Sequence, residues 1–433
     1  VTARGLAPGD RVEVTVEKGV YRGLGLARHE GQVVFVPRAF PADRVRVRVE
    51  TARPGYVQGR VEALLGASAE RRTSPCPYVP RCGGCAYQEL DYEAQLRLKE
   101  DVLRESLRRA GAGWEGPIGV HASPEEGWRL RASFHVQVRG EEVLLGLHEE
   151  GTRRVVDLDR CLQLSTTMNA ALRGMRASLR ERLDLARRVR GLDLLESPAA
   201  DALVAAVETD LPASDAAKLA AVAEGAPGLT GFGAVVAHPT RFLALRGDPH
   251  VTAPAAGFSL RAHVSSFFQG NRHLYEALAR TVVDLVPRGG PVLDLYAGVG
   301  LFALPLAPGA SEVVAVETSP TAVEDAAANV LAARLTNVRV VRGSVEEALR
   351  ERRPEADERI VLDPPRTGAG PSVTALVAAR RPKVVVYVSC DPPTLGRDLA
   401  AFARHGYRAD RVEVFDLFPD TYHLETVVRL VPG

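Results

Sequence analysis

The sequence predicts an α/β protein in three parts: a small N-terminal β-barrel over residues 1–66, a mixed α+β central domain over 67–255, and a doubly wound sheet over 256–433. Three patterns predict it. Apolar residues alternate with polar ones in short, glycine-punctuated runs over the first sixty positions. A loop-rich, cysteine-bearing stretch follows. From about residue 260, apolar strands alternate with helices, the mark of a parallel sheet covered on both faces.

The composition sets limits. A chain of 433 residues is too long for one ordinary core. With 46% hydrophobic and 25% charged residues it reads as a globular protein, and no apolar run approaches the roughly 18 residues that cross a bilayer. No membrane association is expected. Val1-Thr2-Ala3-Arg4-Gly5 lacks the layout of an export signal, so the cytoplasm is the expected compartment. No internal repeat appears, and a monomer is the default. The net charge of +1 hides a basic start, since residues 1–62 carry 11 Lys/Arg against 7 Asp/Glu. The preference for arginine over lysine fits bidentate phosphate contacts, and equally fits genome base composition or thermophily.

In order along the chain, strands are expected at Arg11–Val16, Gln32–Val36, Arg44–Val49 and Val57–Ala63, with the arginines of Arg44-Val-Arg-Val-Arg-Val49 on one face. That face either holds RNA or is merely solvated. A helix through Leu96, Leu98, Val102, Leu103 and Leu107 ends near Gly111. A small antiparallel sheet is expected from Arg131–Val138, Val143–His148 and Arg154–Leu158, then a helix from Ser165 to Leu185, then strands Leu192–Leu195 and Ala202–Val207. The last part offers Pro291–Leu295, Glu312–Glu317, Val338–Arg342, Arg359–Leu362, Lys383–Ser389, Arg411–Phe415 and Glu425–Leu430. The final two are close enough to pair as a hairpin and give one antiparallel strand.

The motifs lie at strand ends. Asp294-Leu-Tyr-Ala-Gly-Val-Gly300 follows the first strand, where Gly298 and Gly300 allow a sharp turn and close approach to a ligand. Glu317 ends the next strand and is placed to accept the hydroxyls of a ribose. The short G-x-G, Asp294 and the antiparallel finish favour S-adenosylmethionine over a dinucleotide, and no G-K-[ST] follows for a nucleoside triphosphate. Asp363, in Asp363-Pro-Pro-Arg366, and Cys390, in Ser389-Cys-Asp-Pro392, end the fourth and fifth strands. Open α/β sheets gather ligands beside such ends, so both should reach the same crevice. Cys76, Cys82 and Cys85 crowd together in a way that points to metal ligation before disulfides.

Together, Ser266-Phe-Phe-Gln269 with Asn271, the 294–300 loop, Asp363-Pro-Pro-Arg366, Ser389-Cys-Asp-Pro392 with Thr394, Arg397 and Asp398, and His423-Leu-Glu425 resemble the RNA uridine-5 methyltransferases of bacteria over essentially the whole chain. The resemblance implies a class I, Rossmann-like methyltransferase sheet. It implies Cys390 as a nucleophile toward uracil carbon 6 and Glu425 as the base that removes the carbon-5 proton. Gln269, Tyr296, Glu317 and Asp363 would line the cofactor and uracil sites. The N-terminal barrel resembles the RNA-binding TRAM module, of OB-like build. Cys76, Cys82, Cys85 and Cys161 match the spacing that holds a [4Fe-4S] cluster in some members, with structural zinc as the alternative.

Ribosomal RNA, 23S in particular, is the expected partner, from the pairing of a TRAM-like barrel with cluster cysteines. Alternatives are transfer RNA, cytosine-5 methylation and an idle RNA-binding protein. Cytosine-5 enzymes on RNA usually carry a second cysteine where this chain has Asp363-Pro-Pro. Two positions depart from the family pattern. Leu301 replaces an asparagine often found after the glycine loop, and Asp391 replaces a commoner asparagine, adding a negative charge that opposes thiolate formation if it lies close.

Overall fold

The computed structural model describes residues 5–237 and 240–433. Val1 to Arg4, on which most of the leader reading rests, lie outside the described residues. Five strands, β1 (Arg11–Val20), β2 (Leu24–His29), β3 (Gln32–Pro37), β4 (Arg44–Arg53) and β5 (Tyr56–Gly66), close a barrel in the order β1-β2-β3-β5-β4. Val12, Val14, Val16, Val45, Val47 and Val49 fill it, so the alternating arginines must point outward. Arg46 pairs there with Glu13 across the strands at 2.7 Å. The strand β2 was not expected. Gly25 interrupts its apolar pattern because a Cβ there would stand 2.3 Å from the Ala39 carbonyl oxygen.

Next come α1 (Tyr92–Arg109) and the short β6 (Gly119–His121). The strands β7 (Arg131–Arg139), β8 (Glu142–His148), β9 (Val155–Asp157), β10 (Val189–Glu196), β11 (Leu203–Thr209), β12 (Leu229–Ala237) and β13 (Thr240–Gly247) form one sheet in the order β13-β12-β11-β10-β7-β8-β9. It is larger than the expected antiparallel sheet and is mixed, since β11 and β12 run parallel. Gly231 and Gly233 weaken the strand signal of β12, yet a Cβ at Gly231 would meet the Asp248 carbonyl oxygen at 1.8 Å. The helix expected from Ser165 to Leu185 is two, α2 (Thr166–Glu181) and α3 (Leu183–Ala186). The chain leaves helical geometry at Arg182 and turns so that Leu185 and Ala186 are buried in the same core. A further short helix is α4 (Ala220–Glu224).

A hairpin of β14 (His250–Ala255) and β15 (Phe258–His263) and the helix α5 (Tyr275–Leu285) lead into the last part. There β16 (Val292–Leu295), α6 (Ala303–Leu306), β17 (Val313–Glu317), α7 (Pro320–Ala332), β18 (Val338–Arg342), α8 (Val345–Glu351), β19 (Arg359–Leu362), α9 (Gly370–Ala379), β20 (Val384–Ser389) and α10 (Pro392–Arg404) alternate as expected. They end in the hairpin of β21 (Tyr407–Phe415) and β22 (Glu425–Pro432). The sheet order is β18-β17-β16-β19-β20-β22-β21-β6, with β22 antiparallel to both its neighbours. β16 lies between β17 and β19, so the order reverses direction there and leaves a crevice at the carboxyl ends.

The parts share cores. Leu195, Val204 and Ala206 of the middle sheet pack in one cluster with the β14–β15 hairpin, α5 and one face of the last sheet. Leu103 and Leu107 of α1 join the core on the other face. β6, from the 67–255 stretch, extends the last sheet by pairing parallel to β21. A Cβ at Gly119 would meet the Glu413 carboxylate at 1.8 Å, so a larger residue there would displace that side chain. Among the described residues no helix is long and apolar enough to cross a membrane.

Candidate active site

The glycine loop leaves β16 through Tyr296, whose φ of 68° is one few non-glycine residues adopt, then passes Gly298 at 54° and Gly300 at 92°. No atom lies within 4 Å of where a Gly298 Cβ would project, so the backbone faces open space there. The Glu317 carboxylate fastens the loop to β17. Its Oε2 accepts from Gly298 N at 3.0 Å, and its Oε1 accepts from Thr318 N at 2.7 Å and Ser319 N at 2.8 Å. Glu317 thus shapes the loop as well as offering free lone pairs to a ligand.

Asp294 is fully buried, and neither carboxylate oxygen has a hydrogen-bond partner. Burial, and then the charges of Asp363 and Glu317, push its pKa up to about 8. Burial and Glu317 raise Asp363 to about 7. Three carboxyl groups gathered at adjacent strand ends form a site short of positive charge. Tyr296 is a half-buried phenol held up to about 12, first by burial and then by the charges of Glu346 and Asp398. Gln269 is buried on the segment between β15 and α5, and makes no hydrogen bond to the other candidate residues. In that segment Ser266 donates to Asp325 at 2.7 Å, and Asn271 donates to Ser123 Oγ at 2.9 Å and to the Leu417 carbonyl at 3.1 Å. These two are anchors of the chain path.

Cys390 follows the last residue of β20, and Glu425 opens β22. The register pairs Ser389 with Thr426, which sets Cys390 and Glu425 side by side on adjacent strands. Glu425 is buried, not solvent-exposed. Burial first, then the Asp363 charge, hold its pKa well above the carboxylate range, with Arg366 opposing. Cys390 is half-buried. Burial and the charges of Glu425 and Asp363 push its thiol up to about 12, Arg366 pulls it down, and Asp391 adds to the rise. The concern about Asp391 is therefore borne out in direction. Its carboxylate caps α10, accepting from Thr394 N at 3.0 Å, so part of its charge is absorbed by the helix end.

The structure gives Thr394, Arg397 and Asp398 a mechanical part. Thr394 Oγ1 donates to the Arg366 carbonyl at 3.2 Å, and Arg397 donates to the Thr367 carbonyl at 2.8 Å. The buried Asp398 accepts from Ala369 N at 2.8 Å and from the Tyr387 hydroxyl at 2.7 Å. They fix the loop that carries Arg366, the one cation acting on both Cys390 and Glu425. Leu301 is buried in the hydrophobic core, so no polar contact replaces the missing asparagine.

Cys76, Cys82, Cys85 and Cys161 line one cavity with Tyr78, Leu147 and Leu158, away from Cys390 in the fold. Burial raises the thiols of Cys82 and Cys85, and takes Cys161 to about 11. Gln163 donates to Cys85 Sγ at 3.0 Å, and the half-buried Arg129 draws these pKa values back down. Among the described residues no three metal-binding side chains stand close enough together to hold a single ion.

Sequence reasoning missed the supports of the loop that leads into Glu425, residues 416–424. Lys99 of α1 reaches Asp416 at 2.6 Å and the Phe418 carbonyl at 3.0 Å, with both charged groups buried. Asp420 accepts from Arg72, Gln88 and Gln95 at 3.1 Å each. The only signal was a lysine on the apolar face of a helix, in a chain that almost never uses lysine.

The profile of the tRNA (Uracil-5-)-methyltransferase family matches residues 255–432, and that of the TRAM domain matches residues 6–61. A 23S rRNA (uracil(1939)-C(5))-methyltransferase of Pseudomonas putida is 34% identical, covering 98% of this chain and 94% of that one. One from Halomonas elongata is 37% identical, covering 97% and 89%. An RNA methyltransferase of Aquifex aeolicus is 31% identical over 97% and 98%. The crystal structure of the Pyrococcus abyssi tRNA (uracil-54, C5)-methyltransferase with S-adenosyl-L-homocysteine shares the fold, with a TM-score of 0.74, 24% identity, and coverage of 96% of this chain and 100% of that one. By strand order, crevice and whole-length likeness, the chain belongs to the RNA uracil-5 methyltransferase family.

Proposed function

We propose that this enzyme methylates carbon 5 of a specific uridine in 23S ribosomal RNA, through Cys390 and Glu425, with S-adenosylmethionine as donor. One observation carries the reading: the β20–β22 register puts a thiol and a buried, proton-seeking carboxylate side by side at the crevice. When bound, S-adenosylmethionine supplies an electrophilic methyl group carrying positive charge. The residues fit such a ligand. Asp294 has both oxygens unpartnered, Glu317 and Asp363 stand with it at adjacent strand ends, and Gly298 faces open space. Gln269, Tyr296 and Gly300 complete the proposed lining.

In the proposed reaction the Cys390 thiolate adds to uracil carbon 6, and the C5–C6 electron pair moves into an enolate. Carbon 5 then acts as the nucleophile toward the methyl group. Glu425 takes the carbon-5 proton, the double bond re-forms, and the C6–S bond breaks to return the thiolate. The raised pKa of Glu425 suits it to hold that proton, while Arg366 favours the ionised forms of both groups. Reaching a base this way requires it to be flipped out of its stack, and the barrel arginines are the proposed grip on the RNA backbone.

To Cys76, Cys82, Cys85 and Cys161 we assign a [4Fe-4S] cluster of structural role, since four thiolates close its coordination. Their shared cavity and the nearby Arg129 support this. The division at residues 66 and 255 is likewise proposed, with β6 crossing it to join the catalytic sheet.

Incubation with labelled S-adenosylmethionine and separated ribosomal and transfer RNAs, followed by mass mapping of the product, tests the reading. Label in 5-methyluridine of 23S RNA is expected. Label in transfer RNA or in cytidine overturns the substrate, and transfer retained by Cys390→Ala overturns the mechanism. An anaerobic preparation absorbing broadly near roughly 400 nm supports iron and sulfur; a colourless one holding about one zinc rejects the cluster.

A further inference from the structure

The turn between β1 and β2 enters the catalytic crevice. The Tyr21 hydroxyl donates to Asp391 Oδ2, while Asp391 Oδ1 accepts from the backbone N–H of Thr394 at 3.0 Å. Both oxygens of the carboxylate next to Cys390 are therefore engaged, one by the head of α10 and the other by the barrel. The Tyr21 ring meets Tyr422 edge-on, with centroids 5.9 Å apart. Close by, a Cβ at Gly23 would stand 2.9 Å from Ala86 and 3.5 Å from Tyr422. The turn is thus wedged between the residue after the nucleophile and the loop leading to Glu425.

We propose that Tyr21 of the N-terminal barrel is a positioning residue of the methyl-transfer site, holding the Asp391 carboxylate so that its charge is spent on hydrogen bonds and not on the Cys390 sulfur. The inference rests on the reading of Cys390 as nucleophile. The charged and titratable groups around the thiol are Glu425 from β22, Asp363 and Arg366 from the loop after β19, Asp391 from its own turn and Tyr21 from the barrel. His423 adjoins Arg366 and Asp391, and burial with the nearby Arg366 keeps it neutral near pH 7, lowering it to about 4. Of these groups only Asp391 adds an anion that a commoner asparagine would lack, and Tyr21 is the barrel group that answers it. A donor on a carboxylate stabilises the anion and draws its charge toward the donor. Without that donor Asp391 faces the thiolate less shielded, and the thiol is harder to ionise.

The test is the rate of Cys390 carbamidomethylation by iodoacetamide across pH, read by mass spectrometry of the Cys390 peptide in the intact full chain, alongside kcat and KM for RNA. Tyr21→Phe is expected to slow alkylation at a fixed pH by about threefold to tenfold, a shift of up to about one pH unit. It should lower kcat and leave KM within twofold. Asp391→Asn should speed alkylation, and adding Tyr21→Phe to it should change the rate by less than twofold. Equal slowing by Tyr21→Phe with or without Asp391→Asn overturns the proposal, because it marks a general loosening. So does a rise in KM with alkylation unmoved. Asp391→Asn also covers the case in which Tyr21→Phe unseats the barrel, since its own acceleration needs no change to Tyr21. If Cys390→Ala retains methyl transfer, the nucleophile reading fails, while the alkylation profiles still report whether Tyr21 governs Asp391.

Discussion

The five cysteines occupy two settings. Cys390 stands half-buried at a strand end among carboxylates and a single guanidinium, a setting that changes with protonation and ligand. The other four line a cavity walled by Tyr78, Leu147 and Leu158, where burial and the neighbouring cysteines raise the thiols of Cys82, Cys85 and Cys161. Both settings hold their thiols up, but the neighbours differ: carboxylates opposed by Arg366 beside Cys390, and the other cysteines at Cys82, Cys85 and Cys161, a crowding that a metal partner would relieve. Between them runs the loop 416–424, gripped by Lys99, Arg72, Gln88 and Gln95 from the cysteine-bearing side and delivering Glu425 to the catalytic side. The two settings are chemically separate and mechanically joined.

The sharpest way to break this contrast is to exchange the losses. Cys390→Ala should abolish methyl transfer, on the order of 10⁴-fold or more, with bound metal and melting temperature unchanged. Cys85→Ser should do the reverse, losing the metal and lowering the melting temperature, because metal affinity is folding free energy. Metal analysis and calorimetry on both variants check this, and a Cys390→Ala protein that lost metal would join what is here held apart.

The mechanical join is probed next. Lys99→Met leaves Asp416 buried and unpaired, which should cost about 3–5 kcal/mol in denaturant unfolding and lower kcat as the Glu425 loop loosens. If stability falls with kcat intact, the grip serves the fold alone.

The smallest effect concerns the acidic crevice. The folded pKa of Asp294 is raised to about 8, above the unfolded carboxylate value. The folded chain therefore holds a proton that the unfolded chain has released. Stability from this group is complete below about pH 4 and is lost as pH rises toward about 8. Asp294→Asn should flatten that decline and stabilise the ligand-free protein by about 1–3 kcal/mol at pH 8. Melting curves between pH 5 and 8 measure it; an unchanged slope would mean Asp294 is not the group responsible.

Much of this was legible in the sequence because strand ends carry both a hydrophobic pattern and a motif. Seven of the eight strands of the last sheet, the glycine loop, Asp363, Cys390 and Glu425 were placed by short-range signals. β2 and β12 were not, because Gly25 and Gly231 break the alternation where backbone approaches too closely for any side chain. The parts played by Lys99, Asp420 and Tyr21 were hidden for another reason. Each acts through a partner more than three hundred positions away, as in Lys99–Asp416 and Tyr21–Asp391, and local patterns do not encode such pairings.

The added strand β6 has a bearing on how the chain is made. His121, beside β21, bonds Glu413 at 3.0 Å across 292 positions of sequence. During synthesis those three residues leave the ribosome long before the strand they pair with. The sheet cannot gain β6 until β21 has emerged, and contacts of such separation close slowly.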